Sequence, residues 1–180
     1  MRFLRPIGYL VRADFLERVR RYSFLVVLGL TAIAGYSMVP GVNESFSAFL
    51  IGGCRGVYNA AWIGVTFGTV VVTVLSLLGF FIVRKAVVRD YETRLGQIIA
   101  ASRISTMQYM IGKWLSNMAV LLIMLIVLTL LSFVMLLLRR ESGGMDITAL
   151  VVPIWLIGGP VLAMVGALAV FFESVSWLRY

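Results

Sequence analysis

The chain has 180 residues, of which 61% are apolar and 13% are charged. Soluble domains hold nearer to half apolar residues, and the excess here is concentrated in four runs that contain no Asp, Glu, Lys or Arg. These runs are Ser23–Asn43, Gly56–Val83, Trp114–Leu138 and Ile147–Phe172. A helix needs about 20 apolar residues to cross the hydrocarbon core of a membrane. The composition therefore argues against a soluble domain and predicts an all-α, multi-pass transmembrane helical bundle.

Basic residues are distributed unevenly among the segments that flank these runs. Six arginines lie within Met1–Tyr22, and six basic residues lie from Arg84 to Lys113. The other two connections hold only Arg55, Arg139 and Arg140. Because basic loops stay on the cytoplasmic side, we expect the N-terminus, residues 84–113 and the C-terminal tail to face inward. This topology accounts for the net charge of +8 without nucleic acid, which such a charge would indicate in a soluble protein.

Residues 1–22 have the pattern of an amphipathic helix. Apolar side chains recur at steps of three and four, which places them on one helical face: Leu4, Ile7, Val11, Phe15, Val19 and Tyr22. Most charged residues, among them Asp14 and Arg18, take the other sides. We expect the helix to lie in the membrane interface with its arginines at the lipid headgroups. The alternative is a cytoplasmic leader held by charge alone.

Four spans are predicted after this helix, at about residues 23–39, 60–83, 114–138 and 149–172. The outward loop between the first two holds Cys54, the one cysteine of the chain. It also holds an apolar stretch, residues 46–51, which is too short to span and fits a re-entrant or interfacial turn. Residues 173–180 resemble an inward loop, so we expect further spans beyond the end of this sequence.

Small and hydroxyl-bearing residues mark two of the predicted spans. Small residues four positions apart allow close helix packing, and they occur here as two sets: Gly64 with Gly68, and Gly159 with Ala163. Hydroxyl groups lie at Thr66, Thr69, Thr73 and Ser76. These hydroxyls are a possible substrate path, or they bond to their own helix carbonyls within a packing face.

The apolar runs also exclude several classes of function. Pumps driven by protons or sodium usually carry Asp, Glu or His inside the membrane. The four runs hold none of these residues, and the chain has no histidine, which argues against a secondary transporter or ion pump. The sequence offers no grouped metal ligands and no paired acid and base, so we expect neither a metal site nor a catalytic activity.

The inward segment, residues 84–113, carries the most specific pattern. Leu95, Ile98 and Ile99 form the apolar face of a short helix, and a bend is predicted over Ser102–Ser105. Ser105 and Gln108 have the spacing of a capping box, so a new helix should start near Thr106. This helix would enter the third span where Lys113 and Trp114 mark the membrane boundary.

This segment resembles the corresponding part of permease subunits of type-two ABC exporters. In that family an acidic segment after the second span leads to a small helix, a Ser-Pro-like bend, an aromatic residue and a Gly-Lys pair. Asp90 and Glu92 match the acidic start, and Thr93, Leu95 and Gln97 fall in the small helix. Ser102 and Ser105 flank the bend, and Tyr109, Gly112 and Lys113 match the aromatic residue and the Gly-Lys pair. The chain departs from the family in having Arg103-Ile104 at the bend and in stopping short of the usual number of spans. The N-terminal helix matches the interfacial elbow of the family.

The resemblance implies a partner subunit that supplies the energy. A separate ABC ATPase, which holds ATP and Mg, would dock beneath residues 84–113 and tilt the first two spans as it closes. The chain has no phosphate-binding motif of its own. The docking residues that the resemblance implies are Asp90, Glu92, Arg94, Leu95, Gln97, Ile98, Ile99, Ser102, Ser105, Tyr109 and Lys113.

The same resemblance implies a setting and an assembly. Two permease copies, identical or different, would pair in the cell membrane of a prokaryote among its lipids, with the substrate route between them. Without the resemblance, residues 84–113 are an ordinary basic loop that contacts headgroups. The alternative function is then a non-transporting membrane scaffold or assembly protein.

Overall fold

A computed structural model describes residues 4–41, 50–84 and 105–174. Its helices are α1 (Leu4–Val19), α2 (Tyr22–Ser37), α3 (Ala60–Val70), α4 (Ser76–Val83), α5 (Thr106–Arg139) and α6 (Ile147–Ser174). A π-helical segment, Val71–Leu75, joins α3 to α4. Two short antiparallel strands, β1 (Leu50–Ile51) and β2 (Cys54–Arg55), form a hairpin. The predicted helical class is confirmed, and the chain just before α3 forms this hairpin.

Three helices are long and apolar enough to cross a membrane: Ala60–Val83, Thr106–Arg139 and Ile147–Ser174. Helix α2 is apolar but has only 16 residues, about 24 Å at 1.5 Å per residue. Helix α5 has 34 residues, about 51 Å, which exceeds the hydrocarbon thickness of about 30 Å. It begins at Thr106 rather than at Trp114, so its first turns extend beyond the apolar run that predicted it.

Polar side chains fix the starts of the long helices. At α5 the Ser105 hydroxyl accepts from the Gln108 N–H at 3.2 Å, and the Gln108 side chain accepts from the Ser105 N–H at 2.9 Å. The predicted capping box is therefore confirmed. The Asn59 side chain accepts from the Trp62 N–H at the start of α3. These groups satisfy backbone donors that a helix end otherwise leaves unpaired.

The contacts define the directions of the helices. Asp14 and Arg18 bond to Lys113 and Asn117, each 99 residues later, and Arg139 donates to the Val39 carbonyl, a separation of 100. Helices α1 and α2 therefore run parallel to α5, one after the other. Helices α3 and α4 run parallel to α6, from the contact of Gly64 with Leu150 to the contact of the Phe80 and Phe172 rings.

Glycines permit the closest approach in the bundle. A Cβ at Gly64 would stand 2.5 Å from the Leu150 carbonyl oxygen, and one at Gly68 would stand 3.4 Å from that of Pro153. On α6 the packed glycine is Gly158, where a Cβ would stand 2.8 Å from Val71 Cγ1. No atom of the described residues lies within 4 Å of the corresponding point at Gly159. The glycine of α6 at this contact is therefore Gly158, and the predicted packing residue Gly159 is turned away from it by about 100° of helix rotation.

The four hydroxyls of the predicted substrate path bond within their own helix. Thr66, Thr69 and Thr73 donate to carbonyls four residues earlier at 2.8–3.0 Å, and Ser76 donates to the Val72 carbonyl. This is the arrangement expected if these residues only pack between helices, because each hydroxyl then bonds to a carbonyl of its own helix. A substrate path along these residues stays a prediction.

The substitution Gly64→Ala should separate α3 from α6, because the new Cβ meets backbone oxygens that cannot turn away. Overpacking of this kind typically lowers stability by about 1–3 kcal/mol. Gly159→Ala is the matched control, and it should be neutral or stabilising by up to about 1 kcal/mol because Ala forms helix better than Gly. Thermal unfolding in detergent measures both, and equal midpoints would contradict the packing described here.

Candidate functional site

The structure describes only part of the predicted docking segment. Eight of its residues lie outside the described residues: Asp90, Glu92, Arg94, Leu95, Gln97, Ile98, Ile99 and Ser102. Ser105, Tyr109 and Lys113 are described, and they lie at the capped start of α5. The candidate site is therefore the start of α5 and the side chains that surround it. We call this the inward end of the bundle, because the sequence predicts that it faces the cytoplasm.

A cluster of buried polar side chains joins α1 to α5. Lys113 Nζ lies 2.7 Å from Asp14 Oδ2, and Arg18 Nη2 lies 3.9 Å from the same oxygen. Arg18 Nη1 donates to Asn117 Oδ1. The side chain of Lys113 is 0% exposed and that of Asp14 is 10% exposed. We call these four residues the inward cluster.

Two further hydrogen bonds connect α5 to α6 at the same level. Asn117 Nδ2 donates to the Gly166 carbonyl at 3.3 Å, and Trp114 Nε1 donates to the Ala163 carbonyl at 3.1 Å. Gly166 faces the side chains of Asn117 and Trp114, and a Cβ at this position would lie 3.6 Å from Asn117 Cβ and from Trp114 Cδ1. Ala163 thus lies at a helix contact as predicted for a packing residue, although the bond uses its carbonyl oxygen.

The inward cluster bears on two expectations from the sequence. Asp14 and Arg18, which were expected on the polar side of α1, are buried against α5. Val11, Phe15 and Val19 are half-buried on the same side of α1, so this helix packs along α5; its position relative to the membrane interface stays a prediction. Lys113 was expected in a docking surface, but a side chain without exposed area cannot touch a docked subunit.

Sequence reasoning missed this cluster because its two halves are far apart in the chain. Asp14 and Arg18 are four residues apart, and so are Lys113 and Asn117. Residues at this spacing share a helix face, and the matched spacing of complementary polar groups was the signal available. Nothing in a single sequence shows that these two faces meet.

Because the charges of the inward cluster are buried, they determine how α1 packs against α5. Asp14 lies between two cations, so its carboxylate offsets the repulsion of Lys113 and Arg18 as well as their desolvation. The attraction between two such charges barely repays the removal of both from water. Removal of one partner leaves an uncompensated charge, which is strongly unfavourable. The cluster therefore fixes how α1 sits on α5 more than it adds to overall stability.

An apolar groove lies beside the inward cluster. It has a volume of about 390 Å³ and is lined by Met110, Ile111 and Trp114 of α5 and by Ala167, Val170, Phe171 and Ser174 of α6. The Trp114 N–H is already bonded to Ala163, so its indole offers the groove an apolar surface. The groove contributes no charged group to the site.

A second polar cluster joins the loops at the opposite end of the bundle, which the sequence predicts to face outward and which we call the outward end. Arg55 Nη2 lies 2.6 Å from Glu141 Oε1, and the Tyr58 N–H donates to Glu141 Oε2 at 2.9 Å. The Tyr58 hydrogen bond, and next the Arg55 guanidinium, lower the pKa of the Glu141 carboxyl below its ordinary value of 4.5. The carboxylate in turn raises the pKa of Arg55. Arg139 stacks over the Tyr36 ring at 4.6 Å and ties α2 to α5.

The chemistry of both clusters is structural. Each consists of paired charges and amides whose described contacts are to other groups of the chain. Among the residues that the structure describes, no three His, Cys, Asp or Glu side chains are placed to hold a metal ion. Comparison with protein-family models, curated proteins and solved structures gave no match to this chain. The geometry of the site is therefore what supports a function.

The substitution Asp14→Asn should lower the free energy of unfolding by about 3–5 kcal/mol, the usual effect of breaking a buried ion pair. Glu17→Gln is the matched control on the same helix. Glu17 pairs with Arg21 at the same 2.7 Å, but both side chains are about half exposed, and such pairs contribute about 0.2–1 kcal/mol. Thermal or denaturant unfolding in detergent compares the two variants. Similar losses in both would contradict the burial of the Asp14–Lys113 pair, because only a buried pair leaves a costly unpaired charge when one partner is removed.

Proposed function

We propose that this chain is a permease subunit of an ATP-driven ABC exporter, with four membrane spans and an inward N-terminus. The observation that carries the proposal is the capped inward end of α5. Residues 105–113 form an ordered helix that reaches inward beyond Trp114 by about 12 Å, and α1 is bonded to its side. A force applied at Ser105 would act on a rigid helix instead of a flexible loop.

The segment before Ser105 supplies the second argument. It has the amphipathic and acidic pattern of a docking helix, and it leads directly into Ser105, the N-cap of α5. An ATPase that grips this segment would pull directly on α5. The inward cluster would then pass the movement to α1, so α5 and α1 would respond first, in place of the first two spans that the resemblance implies.

The fourth crossing is proposed for α2 with the residues that follow it. Residues 22–39 would measure about 27 Å as a helix, close to the core thickness of about 30 Å, and small mismatches are absorbed by tilt or local thinning. Arg20 and Arg21 precede this segment at one end. At its other end, the Val39 carbonyl accepts a hydrogen bond from Arg139. The basic end at residues 20–21 supports an inward N-terminus.

One observation favours the scaffold alternative. The hydroxyls that could line a route for a polar substrate all bond within their own helix. A protein that only packs against partners needs no such route. A transporter whose route lies between two copies also needs none within one chain, so we retain the permease as the leading proposal.

Co-purification with an ATPase tests the proposal. The tagged chain is expressed in its natural host, isolated in mild detergent, and the associated ATPase is identified. Glu92→Arg should abolish its recovery while the variant still inserts in the membrane. Glu44→Arg is the control, because it makes the same charge reversal in the loop expected to face outward. Failure to recover any ATPase with the unmodified chain would favour the scaffold, and equal recovery with both variants would contradict docking at residues 84–113.

A further inference from the structure

The side of α1 that faces away from α5 carries a stripe of exposed residues. Tyr9, Arg12 and Leu16 lie on it at steps of three and four, and Arg20 continues it directly after the helix ends. Residues at these spacings share a helix face. Arginines therefore alternate with large apolar side chains that are 75% and 41% exposed. A surface of this mixed kind is typical of contact with lipid headgroups.

The connection from α1 to α2 is compact and closed by backbone hydrogen bonds. The Arg21 N–H donates to the Arg18 carbonyl, and the Phe24 N–H donates to the Arg21 carbonyl, each at 3.1 Å. The side chains of Arg18 and Phe24 are buried in the bundle. The connection is therefore held in one position, and it presents Arg20, Arg21 and Tyr22 as exposed side chains. We call these three residues the basic patch.

The positive charge of the basic patch is partly neutralised within the chain. Arg21 Nη2 lies 2.7 Å from Glu17 Oε1, and both side chains are about half exposed. Arg20 forms no ion pair with any residue that the structure describes. A guanidinium carries five N–H donors in a planar fork that matches phosphate oxygens. Arg21 can therefore bind an anion beside Arg20 while it keeps its contact with Glu17.

The basic patch lies where α2 is proposed to enter the membrane. Tyr22 begins α2 and is 87% exposed, and aromatic rings at the end of a span are common interfacial anchors. Arg12 lies eight residues before Arg20, about 12 Å along a helix. The headgroup region is about 5–8 Å thick on each side of the core. A helix α1 that stands along α5 therefore carries Arg12 beyond the headgroups and leaves Arg20 among them.

We propose that the basic patch binds the headgroup of an anionic phospholipid in the inner leaflet. Arg20 and Arg21 donate hydrogen bonds to its phosphate oxygens, and the Tyr22 ring lies against the start of an acyl chain. The sequence led us to expect headgroup contacts for the N-terminal arginines as a group. The structure separates them, since Arg18 is used inside the bundle and Arg12 is remote. The inference rests on the proposed crossing of α2 and not on transport.

Quenching of a fluorescent label beside the basic patch tests the proposal. In a Cys54→Ser background, Ser23→Cys introduces a cysteine at an exposed position that is labelled with bimane, and the full chain is placed in phosphatidylcholine vesicles. The quencher is a nitroxide near the headgroup end of an acyl chain, carried by phosphatidylglycerol in one series and by phosphatidylcholine in the other. We expect stronger quenching by phosphatidylglycerol at equal mole fraction. Equal quenching by the two lipids, or none by either, would overturn the proposal.

Substitution of Arg20 tests the basic patch itself. Arg20→Gln should lower the association constant of phosphatidylglycerol relative to phosphatidylcholine about fivefold, the effect of one arginine near an anionic surface. Arg20→Lys should keep most of this preference, and added salt should weaken it because exposed charges are screened. Arg12→Gln is the matched control, since it removes the same charge from the same face of α1. An equal fall in the Arg12 and Arg20 variants would contradict a site at the connection.

Two further arms separate the lipid from other anions. Inorganic phosphate should leave the lipid preference as it is in sodium chloride of equal ionic strength, and a specific loss would assign the site to free phosphate. A fall in ATPase recovery with Arg20→Gln at an unchanged lipid preference would assign the basic patch to a protein partner. Either result would overturn the proposal. The vesicles contain no ATPase, so failure of the transport proposal would leave the expected lipid result in place.

Discussion

The contact between the Asp14 carboxylate and the Lys113 ammonium is the constraint on which the inward half of this structure depends. Two buried charges tolerate little displacement, because each relies on the other to offset its lost hydration. The pair sets α1 parallel to α5, and Arg18 with Asn117 repeats the contact one turn further along. Asn117 then continues to the backbone of α6. The four side chains of the inward cluster thus join three helices at one end of the bundle.

The two ends of the bundle are joined by different means. The inward end uses side chains buried between helices, whereas the outward end uses loop residues that remain accessible, such as Arg55 and Glu141. Between them the helices meet through glycines, with Gly64 against the α6 backbone and Gly158 against Val71. The π-helical turn at Val71–Leu75 lies at the second of these contacts. Such turns often occur at functional sites. This one lies within the surface that α3 and α4 pack against α6.

Much of the fold was predictable, because helix length and capping are encoded locally. The apolar runs predicted the three long helices, although α5 begins at Thr106, before its run, and Ser105 with Gln108 predicted that start. The packing register was harder, since Gly158 and Gly159 are adjacent and only the partner surface decides which one faces inward. The contact of α1 with α5 was not predicted, for a different reason. Amphipathicity assigns charges to water by default, and it cannot show that Asp14 finds its counter-ion 99 residues later.

The packing of α1 along α5 predicts that α1 does not lie flat on the membrane. Spin labels at Tyr9 of α1 and at Arg20, directly after the end of α1, can be measured for depth in liposomes with oxygen and a water-soluble nickel complex, since both residues are exposed. Eleven residues of helix span about 16 Å. An upright helix places the Tyr9 label farther from the bilayer centre than the Arg20 label by an amount that approaches this length. Equal depths at the two positions would contradict the account.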